Sequence, residues 1–262
     1  MKMGLISKLS LCILASIGIA MLTGCSMFSS EPEEYPADLS LKELQLRMLK
    51  ASDPDRKYAT AETYVQKQML EVKKTFGDSV QSIVEIKFKR PDMFKTTTMR
   101  DNQPVNSVIF NGKQAWLINY GNKTVAPIDG VRLETLRILF AMGRPGISYT
   151  EIFKDVKLSQ VRIDEIEYYK MVCTPPLKEQ APLTLYVGKN NFLTKSLDTF
   201  EMINGESLKY TATMDTYAMY EGVMIAKEST TVLGGLKQNY KVIYYKLNAK
   251  IDDTEFAPPQ WD

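Results

Sequence analysis

The chain has 262 residues, with 33 Lys or Arg against 31 Asp or Glu, a formal net charge of +2 and no histidine. The missing imidazole excludes Ser-His-Asp and Cys-His catalysis and every histidine-bearing metal site. The near balance of charge gives no electrostatic footprint for nucleic acid or an acidic partner.

Lys2 and Lys8 open the chain, the 14 residues from Leu9 to Leu22 carry no charge, and Leu22-Thr23-Gly24-Cys25 follows. A charged start, a short apolar run and small residues at a cut site make a secretory signal. The run falls short of the roughly 20 residues that a spanning helix needs. Its last four residues resemble the lipobox of bacterial lipoproteins, which implies cleavage after Gly24 and acyl chains on Cys25. Two or more chains on one residue hold it to a membrane, where a single chain holds only marginally. The expectation is a lipid-anchored protein facing the periplasm, and Ser26, by analogy with well-studied envelopes, favours the outer over the inner membrane. Removing residues 1–24 leaves 31 basic and 31 acidic side chains. Cys12 goes with them and Cys25 is consumed, so Cys173 is the only free thiol and no internal disulfide is possible. Ser26 to Leu39 is rich in Ser, Glu, Pro and small residues, the composition of a solvated linker. The chain thus divides into a signal (1–24), a lipidated flexible tether (25–39) and one folded domain (40–262).

Ser40, with Glu43 three residues on and Leu41, Leu44 and Leu46 around it, predicts a capped helix to about Ala51. Tyr58 to Lys74 mixes strand-favouring Thr60, Thr63, Tyr64 and Val65 with helix-tolerant Gln66 to Lys73, and is read as strand. Val84, Ile86 and Phe88 alternate with Glu85, Lys87 and Lys89, a strand with one dry and one wet face that Pro91 stops. Phe94 to Met99 follows; Val105 to Phe110 then joins Gln114 to Tyr120 through Asn111-Gly112, a hairpin signal, and Gly121-Asn122 turns into Thr124 to Pro127. Val131 to Met142 breaks the pattern. Leu133, Leu136, Leu139 and Phe140 make a helical stripe, widened by Ile138, Ala141 and Met142, that Gly143 and Pro145 end. A short helix is expected near Tyr149 to Lys154. Strands resume at 156–161, 167–174, 183–187 and 193–202, and again at 208–217, 223–232 and 238–248, separated by Gly and Asn turns. The fold class is α+β, mainly β: a single curved antiparallel sheet, an incomplete barrel of about 11 strands, with an N-terminal helix and inserted lid helices.

This order resembles the LolA/LolB superfamily of lipoprotein carriers and acceptors. Lys89-Arg90-Pro91 followed by Phe94 resembles the family's K-R-P-x-x-[LF] stretch. Ile109-Phe110-Asn111-Gly112-Lys113-Gln114-Ala115-Trp116 resembles its V-S-D-G-K-x-L-W hairpin, and Phe256-Ala257-Pro258-Pro259 its closing F-x-P-P. The resemblance implies a half-barrel that holds acyl chains under a helical lid, with Arg90 as the residue that latches the lid. Two departures stand: the carrier is soluble, whereas this chain carries its own lipid signal, and Met99 to Pro104 offers no apolar tip like the acceptor's protruding loop.

On this reading Val84, Ile86, Phe88, Phe94, Trp116 and Ile118 line the concave face, and Leu133, Leu136, Leu139 and Phe140 cover it. A loosely packed helix would yield to acyl chains, whereas a tightly packed one is only core. Arg90 reads equally as a surface residue that ends a strand. Cys173 reads as a buried inert thiol, and Asp252, Asp253 and Glu255 as a solvated acidic cluster. The expected partners are acyl chains of lipoproteins or lipids, the membrane through Cys25, and a carrier or other envelope protein. No cofactor, metal or nucleic acid is implied. With no S-x-x-K motif in supporting context and no carboxylate pair in an aromatic cleft, the chain is read as a non-enzyme. The alternative is an envelope protein-interaction or sensing module whose barrel is filled.

Overall fold

Alternation along the strands, broken by turn residues, produces one continuous antiparallel sheet. In the computed structural model, which describes residues 33–73, 79–144, 147–203 and 205–261, the strands are β1 (Glu33–Pro36), β2 (Thr63–Val72), β3 (Val80–Lys89), β4 (Met93–Arg100), β5 (Gln103–Asn111), β6 (Ala115–Asn119), β7 (Thr124–Ile128), β8 (Asp155–Ile163), β9 (Ile166–Thr174), β10 (Leu183–Gly188), β11 (Thr194–Ile203), β12 (Glu206–Tyr220), β13 (Val223–Leu233) and β14 (Leu236–Leu247). Their order is β1-β8-β9-β10-β11-β12-β13-β14-β2-β3-β4-β5-β6-β7, so the sheet is open, with β1 and β7 at its edges. Pro127, which lacks a backbone donor, sits in the edge strand β7, where a sheet tolerates proline.

Among the described residues, four α-helices accompany the sheet: α1 (Leu41–Ser52), α2 (Lys57–Thr60), α3 (Gly130–Met142) and α4 (Tyr149–Ile152). Ser40 caps α1 by accepting from the Glu43 N–H at 3.2 Å. The buried Asp53 carboxylate accepts from the Tyr58 and Ala59 N–H groups (3.1 and 2.8 Å), which tells the chain to start α2. Hence Tyr58 to Thr60 is helical rather than strand, and β2 begins only at Thr63. Asn111 accepts from the Lys113 and Gln114 N–H groups, and Gly112 takes φ +90°, closing the β5–β6 hairpin.

The described residues hold 14 strands against about 11 expected, and one of the additional strands is β1, where part of the tether joins the sheet. Glu33–Pro36 pairs with β8, and Asp38 accepts from the Tyr169 hydroxyl at 2.8 Å. A Ser/Glu/Pro-rich segment is thereby ordered by an edge that offers unpaired backbone groups. Cys25 and the rest of the signal and tether lie outside the described residues, as do Lys74 and Pro145.

Cross-strand registers show which residues share a face. Leu247, Tyr64, Phe88, Phe94, Phe110, Ala115 and Ile128 form one row across neighbouring strands. Phe110 and Ala115 of that row pack with Leu136 of α3, so the row marks the inner, helix-covered face. On the outer face Ile109 and Ile118 pack with Phe256, alongside Trp116, Tyr120, Val125, Ile251 and Trp261. The acidic cluster is not solvated as expected: Lys87 and Lys95 each bond Glu255 at 2.8 Å, Lys89 pairs with Asp253, and Asp252 caps the 3-10 turn Asp253–Phe256. These contacts hold the C-terminal segment flat on the outer face.

Phe256 is 2% exposed at the centre of that outer layer. Phe256→Ala should lower unfolding free energy by roughly 3–5 kcal/mol, read as a shift of the denaturant midpoint with unchanged slope.

Candidate functional site

α3 meets the sheet at two distant places. Leu133, Leu136 and Phe140 pack on Phe94, Val108, Phe110, Ala115, Leu117 and Ile128, with Phe140 stacked on Phe110 (5.0 Å between centroids) and tilted over Phe94 (4.6 Å). Ile138 and Met142 pack instead on a second cluster, where Tyr169, Met171, Cys173, Leu183, Leu185 and Val187 enclose Leu44 of α1. The first contact lies on β4–β6, the second on β9–β10, which the strand order puts near opposite edges. One helix can touch both only if the sheet curls round it. The result is a trough with α1, α3 and α4 inside its mouth.

The helical register explains the division of labour. Leu133, Leu136 and Phe140 follow i, i+3, i+7 spacing, while Ile138 and Met142 are i, i+4 on nearly the opposite side. Leu139 lies between the two stripes, half-buried and in neither cluster. A helix apolar nearly all round is what a segment between two walls requires.

Of the residues expected to line the concave face, Val84, Ile86, Phe88 and Phe94 do so; Val84 and Phe88 are buried, and Phe88 stacks on Tyr64 at 5.2 Å. Trp116 and Ile118 do not. They pair with Ile109 and Ser107 and face outward, under the C-terminal segment. The residues of β6 that face the trough are Ala115 and Leu117. Because both faces of β6 are covered, its sequence Ala-Trp-Leu-Ile-Asn carries no alternation from which to choose.

Between the two packed ends, the inner face of β11–β13 is different. Thr199, Glu201, Tyr210, Met214 and Ser229 are half-buried and belong to none of the four apolar clusters among the described residues. Register assigns them to the trough: Leu197 packs in the α1 cluster, and Glu201 follows it four residues along an unbroken ladder. Glu201 was not singled out in the sequence, since a lone acid on a mixed strand looks solvated. Its Oε1 is buried with no hydrogen-bond partner. Burial pushes its carboxyl up to about 7, against a partial pull downward from the Arg132 charge on α3.

Arg90, at the end of β3, donates from Nε to the Ala61 carbonyl (2.5 Å) and from Nη2 to the Tyr58 carbonyl (2.7 Å), with its guanidinium 5.8 Å from the centre of the Tyr58 ring. Tyr58 belongs to α2 and Ala61 caps its C-terminus, so neither partner belongs to an inserted helix. Tyr58 completes the connection: its hydroxyl donates to the Gly143 carbonyl at 2.8 Å, where α3 ends. Arg144 pairs with Asp92 at 2.7 Å, and Arg137 donates to the Lys113 carbonyl at 3.1 Å. Cys173 is fully buried, and burial lifts its thiol to about 12, so it is held as an inert apolar group.

No protein-family model and no curated protein matches the sequence. Among solved structures, a LolA superfamily protein from Nitrosomonas europaea superposes with a TM-score of 0.60 at 13% identity, covering 84% of this chain and 98% of that one. A DUF1329 family protein from Desulfovibrio piger gives 0.60 at 12% identity, with 83% and 95% covered. A domain described as an outer membrane lipoprotein-sorting protein, from Vibrio parahaemolyticus, gives 0.53 at 11% identity, with 81% and 97% covered.

The raised Glu201 carboxyl carries a signed consequence. Its folded value of about 7 exceeds its ordinary 4.5, so the folded state favours the proton. That contribution is full below pH 4.5 and is lost as pH rises toward 7. Glu201→Gln should remove this decline, so the variant gains stability relative to the parent between pH 5 and pH 7.5, measured by denaturant midpoints at each pH. Taken together, the curled open sheet, the helices in its mouth and the superpositions establish that this chain has a LolA-like fold.

Proposed function

We propose that this protein is a lipid-anchored, periplasm-facing binding protein of the bacterial envelope that shields acyl chains of lipoproteins or lipids in the trough under α3, without covalent chemistry. The single observation that carries the reading is the position of α3. It packs against both walls of the trough and leaves Thr199, Glu201, Tyr210, Met214 and Ser229 of the inner face outside every core cluster among the described residues. The fold shared with a lipoprotein-sorting domain supports the same reading, and the lipobox at Cys25 supplies the anchor.

Magnitudes favour displacement of the lid by a chain. Lifting Leu133, Leu136 and Phe140 off the sheet, with α3 pivoting on Ile138 and Met142, exposes three large side chains, each costing about 1.5–3 kcal/mol, while burying a sixteen-carbon chain returns about 12 kcal/mol at roughly 0.8 per methylene. Opening is therefore affordable to a long chain and not to a short one. The polar fastenings set how quickly the lid moves. In this scheme Arg90 latches it at one remove: it fixes α2, and Tyr58 on α2 holds the end of α3.

Extraction of the purified full chain followed by mass spectrometry tests the binding itself. Co-purifying lipid in a ratio near one per chain is expected; a lipid-free protein that also fails to take up a fluorescent fatty acid would instead favour an interaction module with a filled trough. Arg90→Leu tests the latch. Charge-assisted bonds to two carbonyls are lost, so release of a bound fluorescent fatty acid should accelerate about tenfold, with a smaller fall in the denaturation midpoint. An unchanged release rate would remove Arg90 from the scheme.

A further inference from the structure

We infer that the trough selects amphiphiles whose polar end is a protonated amine, and that Glu201 on β11 is the group that recognises it. The inference deepens the proposed function and rests on it. A trough built only for hydrocarbon has no use for a carboxylate, because each buried acceptor without a donor costs free energy. Yet the Glu201 Oε1 is buried and unpartnered on the inner face of the central strands. A second buried acceptor without a partner, the Gln180 Oε1, lies close to the same half of α3, since the Gln180 Nε2 donates to Thr135 Oγ1 at 3.1 Å. Arg132 stands one turn before Thr135 on the same helix, and its charge reaches Glu201. Among the described residues, however, no ion pair reaches Glu201.

Two orphaned oxygens on separate elements thus belong to residues that neighbour the first half of the lid helix. Both are acceptors, so the complementary group is a donor. An ammonium supplies several N–H donors and a compensating charge in one small head. The neighbouring inner-face residues, Thr199 and Tyr210, are cross-strand partners that flank the position with hydroxyls. The burial that lifts the Glu201 carboxyl is the same cost that a bound cation would relieve. Meanwhile the apolar clusters at either end remain available for the hydrocarbon tail.

The test uses three probes with the same twelve-carbon tail, dodecylammonium, dodecanol and dodecanoate, titrated calorimetrically into the full chain at pH 8 below their micelle concentrations. The wild type should bind dodecylammonium about tenfold or more tightly than dodecanoate, and Glu201→Gln should collapse that ratio to near one. A wild-type ratio near or below one overturns the inference by itself, whether or not the variant folds. So does a preference that survives Glu201→Gln; in both cases tail binding stands. If none of the three probes binds, the proposed function fails and takes this inference with it.

Discussion

A helix that must pack on two walls at once fixes the shape of everything around it. Phe140, Leu136 and Leu133 seat α3 on β4–β6, while Ile138 and Met142 seat it on the cluster that β9 and β10 build around Leu44. The fourteen strands of the described residues, joined edge to edge, would otherwise form a long twisted ribbon. The double contact bends it into a trough, and because the two edge strands never pair, the mouth stays open to be covered by side chains alone. Closure by packing rather than by backbone hydrogen bonds is reversible at the cost of a few side chains.

The polar contacts that hold α3 come from different parts of the chain: Tyr58 from α2, Asp92 from the β3–β4 turn, Lys113 from the β5–β6 turn and Gln180 from the β9–β10 connection. Each is individually modest. Together they define one seated position for the helix. Arg90 contributes indirectly, through the α2 carbonyls, so its influence on α3 depends on Tyr58 being held in place. The trough combines such fastenings with apolar clusters on both walls and a polar group of inner-face residues, Thr199, Glu201 and Ser229, on β11–β13. That combination suits an amphiphile better than a bare hydrocarbon.

The outer face is stabilised by a different device. Phe256 and its neighbours cover Ile109 and Ile118, and Glu255 is held between Lys87 and Lys95. Strands β5 and β6 are consequently dry on both faces. This rigid double-sided wall is the one on which the Phe94, Phe110 and Phe140 rings meet, so the outer layer supports the inner site.

Periodicity in the sequence was enough for the strands, the inserted helix at 131–142 and the Ser40 cap, because alternation and i, i+3, i+4 spacing are local properties of the chain. It also sufficed for Val84, Ile86, Phe88 and Phe94 as an inner face, since the intervening lysines and glutamate could face only water or ions. It failed for Trp116 and Ile118, where both faces are covered and the pattern is uniformly apolar. It failed too for Glu33–Pro36, whose composition says linker until an unpaired edge is present to order it. The roles of Tyr58, Glu201 and the acidic C-terminal cluster depend on residues brought from tens or hundreds of positions away. Local sequence dictates which segments form and which side of each is apolar; only the curl of the sheet decides which side is inside, because that depends on what the distant helix touches.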